Sequence, residues 1–248
     1  MSEGAVSWLR PVWAAPANVH AAATTRVGGV SRGSWASLNL AMHVGDDPAL
    51  VADNRRRLAA AAKLPTEPRW LHQVHGKRVV RFDAAGTEET PTADAAVTCA
   101  AGVVLAVLTA DCLPVLLAAC DGSAVGVVHV GWRGLGAGVI EAALAAMPAS
   151  PGRVSAWLGP AIGAAHYEVG EEVREAFAGS PGSEDAFRAS ARTDHWYCNL
   201  VTLVRARLAA AGVREMAGGE WDTLAEPERF YSYRRDGKTG RMASLIWI

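Results

Sequence analysis

No apolar stretch in this chain reaches the roughly 18 to 20 residues that a membrane-crossing helix requires. The longest, residues 103–120, is interrupted by Asp111 and Pro114 and reads as two buried strands joined by a tight corner. An excess of charge is also missing. Twenty-four Lys and Arg balance 25 Asp and Glu, leaving a formal charge of −1. That balance offers no basic face to nucleic acid or to an acidic bilayer, so neither partner is expected. Cysteine is sparse. Cys99, Cys112, Cys120 and Cys198 show no compact spacing, which argues for reduced thiols in a cytoplasmic protein and against a disulfide scaffold. The segment from Met1 to Arg10 has no basic stretch followed by an apolar core, so no signal peptide is expected. No internal repeat and no low-complexity tract is found.

What is present is apolar and finely punctuated. Half of the 248 residues are hydrophobic, enough for one large domain or two small ones. Residues 24–31 read as a polar, glycine-containing loop after an opening strand. Asp46, Asp47 and Pro48 are suited to starting a helix, which is expected to run to about Lys63. Strands are expected over 77–82, 95–98, 103–108, 114–118, 124–130 and 154–158, with Asp121-Gly122 as a hairpin turn. Residues 131–138 form a glycine-rich turn in this reading, followed by a helix over 139–147. A short helix is expected over 171–178 and an amphipathic one over 199–211, closed by Gly212. Residues 179–191 are expected to form a mobile loop, and Tyr231 onward a turn feeding a final strand. Successive hairpins mixed with helices predict an α+β fold.

Three short segments carry metal-binding chemistry: Trp70-Leu-His72-Gln-Val-His75-Gly, Thr109-Ala-Asp111-Cys112, and His129-Val-Gly-Trp-Arg133-Gly134. One thiolate and two imidazoles form a set that zinc favours, and three protein groups leave one position free for water or substrate. Cys112 lies 37 positions after His75 and 17 before His129, so no closely spaced clip exists and a folded core must gather the ligands. The residues alone do not choose between His72 and His75; the one that does not bind could orient a ligand through a hydrogen bond. Backbone N–H groups in the glycine loop at 131–138 suit an anion, and Arg133 could grip phosphate with two hydrogen bonds. The pattern is neither a Walker A loop nor a dinucleotide fingerprint. Asp111, beside the thiolate, is the candidate acid or base, though a carboxylate there could instead close a turn. Arg26, Asn39, His43, Arg55 and Arg234 are further polar candidates in loops or near helix starts.

Taken together, Thr25-Arg-Val-Gly-Gly-Val-Ser, Ser37-Leu-Asn-Leu, His72-Gln-Val-His-Gly, Thr109-Ala-Asp-Cys-Leu-Pro-Val, His129-Val-Gly-Trp-Arg-Gly, Leu158-Gly-Pro-Ala-Ile-Gly and Tyr231-Ser-Tyr-Arg-Arg-Asp resemble the YfiH family, also called the laccase-domain or polyphenol-oxidase-like family. The resemblance runs from about residue 20 to the end, with the motifs in family order. It implies a single domain over residues 1–248, built of layered mixed β-sheets flanked by helices and related to toxin domains that use a Cys–His pair. It further implies one zinc held by His75, Cys112 and His129, with His72 at a variable position. Members are described as purine nucleoside phosphorylases acting on adenosine, inosine, guanosine and methylthioadenosine, and as adenosine deaminases. Others are described as polyphenol oxidases or peptidoglycan editing factors. Seven histidines with no His-x-His pair are too few for the roughly ten that a multicopper centre uses, so zinc is expected, with copper in the same position as the alternative.

The expected activity is therefore purine nucleoside phosphorolysis with adenosine deamination beside it, in a monomer. Arg133 and the amides from Gly134 would hold phosphate, Asp111 would move the proton, and Asn39 and Arg55 would contact substrate. Two alternatives use the same residues. One is a metal-free hydrolase of cell-wall precursors with Cys112 as nucleophile and His129 as base. The other is a non-enzymatic module in which zinc serves stability alone.

Overall fold

Asp47 starts the first long helix as its cap, accepting the Ala49 N–H at 2.8 Å, and Pro48 fills the first turn where a missing N–H costs nothing. Lys63, in the left-handed conformation at φ 51°, ends it. This computed structural model describes residues 4–84, 86 and 90–248; the first three residues of the opening segment lie outside them. In chain order the strands are β1 (Trp8–Leu9), β2 (His20–Thr24), β3 (Val79–Arg81), β4 (Ala95–Thr98), β5 (Leu105–Thr109), β6 (Leu113–Ala119), β7 (Val125–Val130), β8 (Val154–Leu158), β9 (Glu168–Gly170), β10 (Phe187–Ala189), β11 (His195–Cys198), β12 (Glu215–Gly218) and β13 (Met242–Trp247). The helices are α1 (Pro48–Ala62), α2 (Trp132–Ala137), α3 (Val139–Ala146), α4 (Glu171–Glu175), α5 (Ser183–Ala186), α6 (Leu200–Ala210) and α7 (Tyr233–Asp236).

Three sheets result among the described residues. The largest has the order β12-β8-β6-β7-β4-β3, antiparallel at its centre and parallel at both edges. A second has the order β1-β2-β13-β5, and a third, β10-β11-β9, is small. Strand periodicity explains how the first two stack. In β6, Leu113, Val115, Leu117 and Ala119 pack with Ile140, Leu144, Leu203 and Leu208 of α3 and α6. Leu116 and Ala118, on the other face, pack with Leu105, Val107 and Ile246 of the second sheet. Leu58 of α1 covers the outer face of that sheet with Leu38 and Leu40. The order is helix, sheet, sheet, helices. Both faces of β6 and β7 are buried, which is why they read as continuous apolar runs without alternation. Each large aliphatic side chain so buried contributes about 1.5–3 kcal/mol.

The α+β expectation holds, with layered mixed sheets flanked by helices. The corner after β5 and the Asp121-Gly122 hairpin stand where they were expected; Gly122 has φ 73° and Asp121 accepts from Ser123. Two expectations need correction. Residues 131–138 are not a simple turn: six of them form α2, ended by Gly138 at φ 93°. Its glycines are tolerated because Gly134 and Leu135 are buried against neighbouring segments, and packing overrides propensity. Residues 179–191 contain α5 and β10 in place of an irregular loop. Ala186 is buried there, and its carbonyl accepts the Asn199 N–H at 2.7 Å. No helix among the described residues is long and apolar enough to cross a membrane.

Candidate metal centre

The chain passes from one large sheet to the other between β5 and β6, and residues 110–112 make the crossing. Asp111 takes φ 95°, a conformation few L-residues adopt. It is held there on three sides. Thr223 Oγ1 donates to Asp111 Oδ1 at 2.6 Å, the Arg234 N–H donates to Oδ2 at 2.7 Å, and the Asp111 carbonyl accepts the Ile162 N–H at 2.9 Å. Cys112 follows and lines a cavity beside the corner. His129 stands near the end of β7, opposite Pro114 of β6, and is 3% exposed. His75 arrives on a loop before β3, at φ 59°.

One carboxylate holds the backbone of the His75 loop and the ring of His129. Asp94, fully buried just before β4, accepts the His75 N–H at 2.9 Å and His129 Nδ1 at 2.8 Å on Oδ1. Its Oδ2 accepts the N–H groups of Gly76 at 2.7 Å and Val74 at 3.3 Å. Burial alone would raise this carboxyl, but His129 and the loop amides outweigh it and hold Asp94 below the usual carboxylate range. With Nδ1 committed to Asp94, His129 turns Nε2 toward Cys112 and His75, a common arrangement in metal sites. Asp94 was missed in the sequence, where its one signal is an acid placed immediately before a short, mostly apolar strand.

Cys112 Sγ lies 3.8 Å from His75 Nε2, and one ligand atom each from His75, Cys112 and His129 falls within 4.8 Å of the others. Tetrahedral zinc with bonds of about 2.0–2.3 Å needs ligand atoms about 3.3–3.8 Å apart, so small side-chain adjustments close the set. Among the described residues this is the one group of three or more such side chains that could hold a metal. Gly131 makes room for it. A Cβ there would sit 2.9 Å from His75 Cδ2 and 3.2 Å from Cys112 Sγ. Gly131→Ala is therefore expected to push both side chains aside and weaken metal binding about 10- to 100-fold while the fold persists, as competition with a chromogenic chelator would show.

Electrostatics favour the ligand form of Cys112, while His129 must release a proton to bind a metal. Burial by itself would push the Cys112 thiol up, yet His129 and then His75 bring it down to about 6. His129 is lowered by burial but raised more by Cys112 and Asp94, to about 9. In the metal-free chain these two form a thiolate–imidazolium pair. Cys198, by contrast, is pushed up to about 12 by burial. The expected result is that iodoacetamide labels Cys112 of metal-free protein with a pH midpoint near 6 and a plateau above it, leaving Cys198 unmodified. Peptide mass spectrometry checks both, and added zinc should protect Cys112.

The cluster forms one wall of a cavity of about 490 Å³, within the usual range of small-molecule sites. His43, Gln73, Asp111, Tyr167, Tyr233, Arg234 and Arg241 also line it. Gln73 braces the wall, exchanging hydrogen bonds of 2.8 Å with the N–H and carbonyl of Leu108. Burial raises the Tyr167 phenol, so it stays protonated. Burial, then the charges of Arg241, His72 and Arg55, lower His43.

Of the residues singled out in the sequence, His75, Cys112, His129, Asp111, His43 and Arg234 meet at this cavity. His72 stays out of the metal cluster, its N–H donating to the Pro91 carbonyl. The remaining five do not reach the wall. Arg133 is exposed and stacks on Trp132 at 4.4 Å. Gly134 is buried where a Cβ would meet the Gly76 carbonyl at 2.9 Å, so its smallness lets α2 close on the His75 loop. Asn39 is fully buried, and its Oδ1 accepts the Arg241 N–H at 3.0 Å. Arg55 spends Nε and Nη2 on the Leu40 carbonyl and stacks over Trp70 at 4.0 Å. Arg26 is likewise taken up by the carbonyls of Ala36 and Pro227. Tyr167 and Arg241 reach the cavity unannounced. The second is a lone cation at the start of an apolar strand, the only hint the sequence offers.

A family model described as multi-copper polyphenol oxidoreductase laccase matches residues 20–248. The chain belongs to that family. Among its curated relatives, a purine nucleoside phosphorylase of Pseudomonas aeruginosa is 46% identical over 98% of both chains. The purine nucleoside phosphorylase YfiH of Escherichia coli (strain K12) is 46% identical over 96% of this chain and 97% of its own. Among solved structures, a Neisseria meningitidis protein of the DUF152 family model superposes with a TM-score of 0.91 at 45% identity, covering 97% of this chain and 98% of that one. YlmD from Geobacillus stearothermophilus gives a TM-score of 0.88 at 34% identity, covering 99% and 97%. The YfiH resemblance is thereby borne out. For this laccase-family chain the word multi-copper does not follow from its residues. One His-Cys-His group among the described residues cannot build a trinuclear cluster beside a separate blue copper.

Proposed function

We propose that this chain is a zinc-dependent purine nucleoside phosphorylase acting on adenosine, inosine, guanosine and methylthioadenosine, with adenosine deamination as a second reaction. The observation that carries the reading is a three-ligand nitrogen and sulfur cluster opening onto a cavity of small-molecule size. Two relatives described as purine nucleoside phosphorylases, each 46% identical over nearly its whole length, support it. Two imidazoles and a thiolate suit zinc better than magnesium or calcium, which prefer oxygen donors. A zinc held by His75, Cys112 and His129 would supply Lewis-acid charge beside the reacting atoms.

The other residues divide the remaining work. In phosphorolysis the ribosyl carbon gains positive charge as phosphate approaches one face and the purine departs from the other. Arg234 and Arg241 present guanidinium groups on the wall and would hold the phosphate, a task their position suits better than that of exposed Arg133. Asp111, the expected proton carrier, has both oxygens engaged by Thr223 and Arg234. Its proposed work is to fix α7, and so Arg234, against the wall. Tyr167, kept protonated by burial, would donate to the departing purine.

Zinc-loaded protein given adenosine and phosphate is expected to release adenine and ribose 1-phosphate, with some inosine. Tyr167→Phe should lower kcat about 100-fold with little change in KM. Protein carrying one zinc per chain that releases no purine base would defeat the reading. The lowered Cys112 thiol favours one rival: a metal-free Cys–His hydrolase with Cys112 as nucleophile and His129 as base. Loss of activity to a chelator, restored by zinc, separates the two.

A further inference from the structure

A shallower cavity of about 420 Å³ adjoins the first and is lined by His43, Val44, Tyr233, Gly237, Lys238, Thr239 and Arg241. His43, Tyr233 and Arg241 line both, so the two spaces meet across these three side chains. The composition of the annex is one-sided. It contains two cations, Lys238 and Arg241, and no carboxylate. Asp111 and Cys112 act on Arg241 from the main cavity, and the acids of the flanking segments have partners of their own. Asp236 binds Arg235, and Asp46 accepts from Ser31 and Asn39. Lys238 makes no ion pair among the described residues; its ammonium rests 4.6 Å from the Trp35 ring centre, a contact that orients it without neutralising it. Arg241 donates to the carbonyls of Thr239 and Gly240 through Nη1 alone, and those bonds, with Asn39 on its backbone N–H, hold it at the junction. Nε and Nη2 have no partner among the described residues. Two fixed cations with spare donors beside a cavity wall form an anion site.

We propose that the annex binds the phosphate of a nucleoside 5′-monophosphate whose nucleoside occupies the main cavity. The inference rests on the nucleoside reading of that cavity and extends it to a charged class of ligand. A phosphate joined to the nucleoside reaches Lys238 and Arg241 without a separate entropic cost, so the attached group gains more than free phosphate does. Lys238 discriminates because it lines the annex and not the main cavity.

The test is calorimetry on the zinc-loaded protein in phosphate-free buffer, with adenosine, adenosine 5′-monophosphate and inorganic phosphate as separate probes. The monophosphate is expected to bind at least about tenfold more tightly than adenosine, and Lys238→Ala should reduce that ratio about tenfold. Lys238→Arg should keep most of it. A ratio near one, or a ratio that Lys238→Ala leaves intact, overturns the annex while the nucleoside reading stands. Inorganic phosphate binding as tightly as the monophosphate, and lost in Lys238→Ala, makes this a free-phosphate site and overturns the claim for an attached one. Failure of adenosine both to bind and to be cleaved removes the nucleoside reading, and the proposal falls with it.

Discussion

Cys112→Ala should leave the chain folded, empty of zinc and nearly inactive. Cys112 sits at a corner between sheets, outside the hydrophobic clusters, so its loss is expected to change unfolding free energy by no more than about 1 kcal/mol. The chemistry fares worse. Losing the charge of a bound metal removes several kcal/mol of transition-state stabilisation, and about 4 kcal/mol corresponds to roughly 10³-fold in rate. Metal analysis by mass spectrometry and release of adenine from adenosine measure the two effects on one sample. His75→Ala should behave in the same way, because His75 belongs to the cluster, whereas His72→Ala should keep its zinc. That pair also separates the rival chemistry. A Cys–His hydrolase needs Cys112 and His129, and it would keep most of its activity without His75. Full phosphorolysis by metal-free Cys112→Ala would end the zinc reading.

Asp94→Ala is expected to be the most destabilising single change in the site. It strips a fully buried carboxylate from three backbone N–H groups and a buried imidazole. Breaking one side of such a buried network costs about 3–5 kcal/mol, which for a chain of this size lowers the melting temperature by about 6–20 °C. Asp94→Asn is the gentler probe. An amide can accept on one side only, so its NH2 must confront either the Gly76 and Val74 amides or the His75 amide and His129 Nδ1. The fold should survive while zinc affinity drops about 10- to 100-fold, the range seen when the group orienting a ligating histidine is changed. Calorimetric unfolding of the first variant and zinc competition on the second measure these effects. An Asp94→Asn protein that binds zinc as wild type does would show that the carboxylate serves structure alone.

Much of the architecture was legible because its signals are local. Asp47 and Pro48 announce α1, and Asp121-Gly122 announces the hairpin between β6 and β7. The apolar run broken at Asp111 and Pro114 announces the corner. The three proposed ligands stand out because His and Cys at strand ends beside glycines are chemically conspicuous. What escaped depends on distant parts of the chain. Asp94 matters because residues 74–76 and 129 converge on it, and no window around Asp94 reveals that. Arg133 and Gly134 suggested an anion grip from their neighbours in sequence. Packing instead turned Arg133 outward onto Trp132 and buried Gly134 against Gly76. Asn39 and Arg55 look like substrate contacts as isolated polar groups. In the fold they serve the backbone, Asn39 by holding Arg241. β12 at the edge of the main sheet and the small sheet of β9, β10 and β11 lack strong period-two patterns, so their short sequences gave no warning.

The crossing between the two large sheets has a consequence for assembly. Its cysteine reaches the histidines only when both sheets are already docked, since one partner rides on a loop pinned by Asp94 and the other ends a central strand. Short zinc-binding clips capture their ion early and use it to fold. Here the ion should arrive last, at a finished scaffold, and a chelator should extract it reversibly from a molecule that keeps its shape.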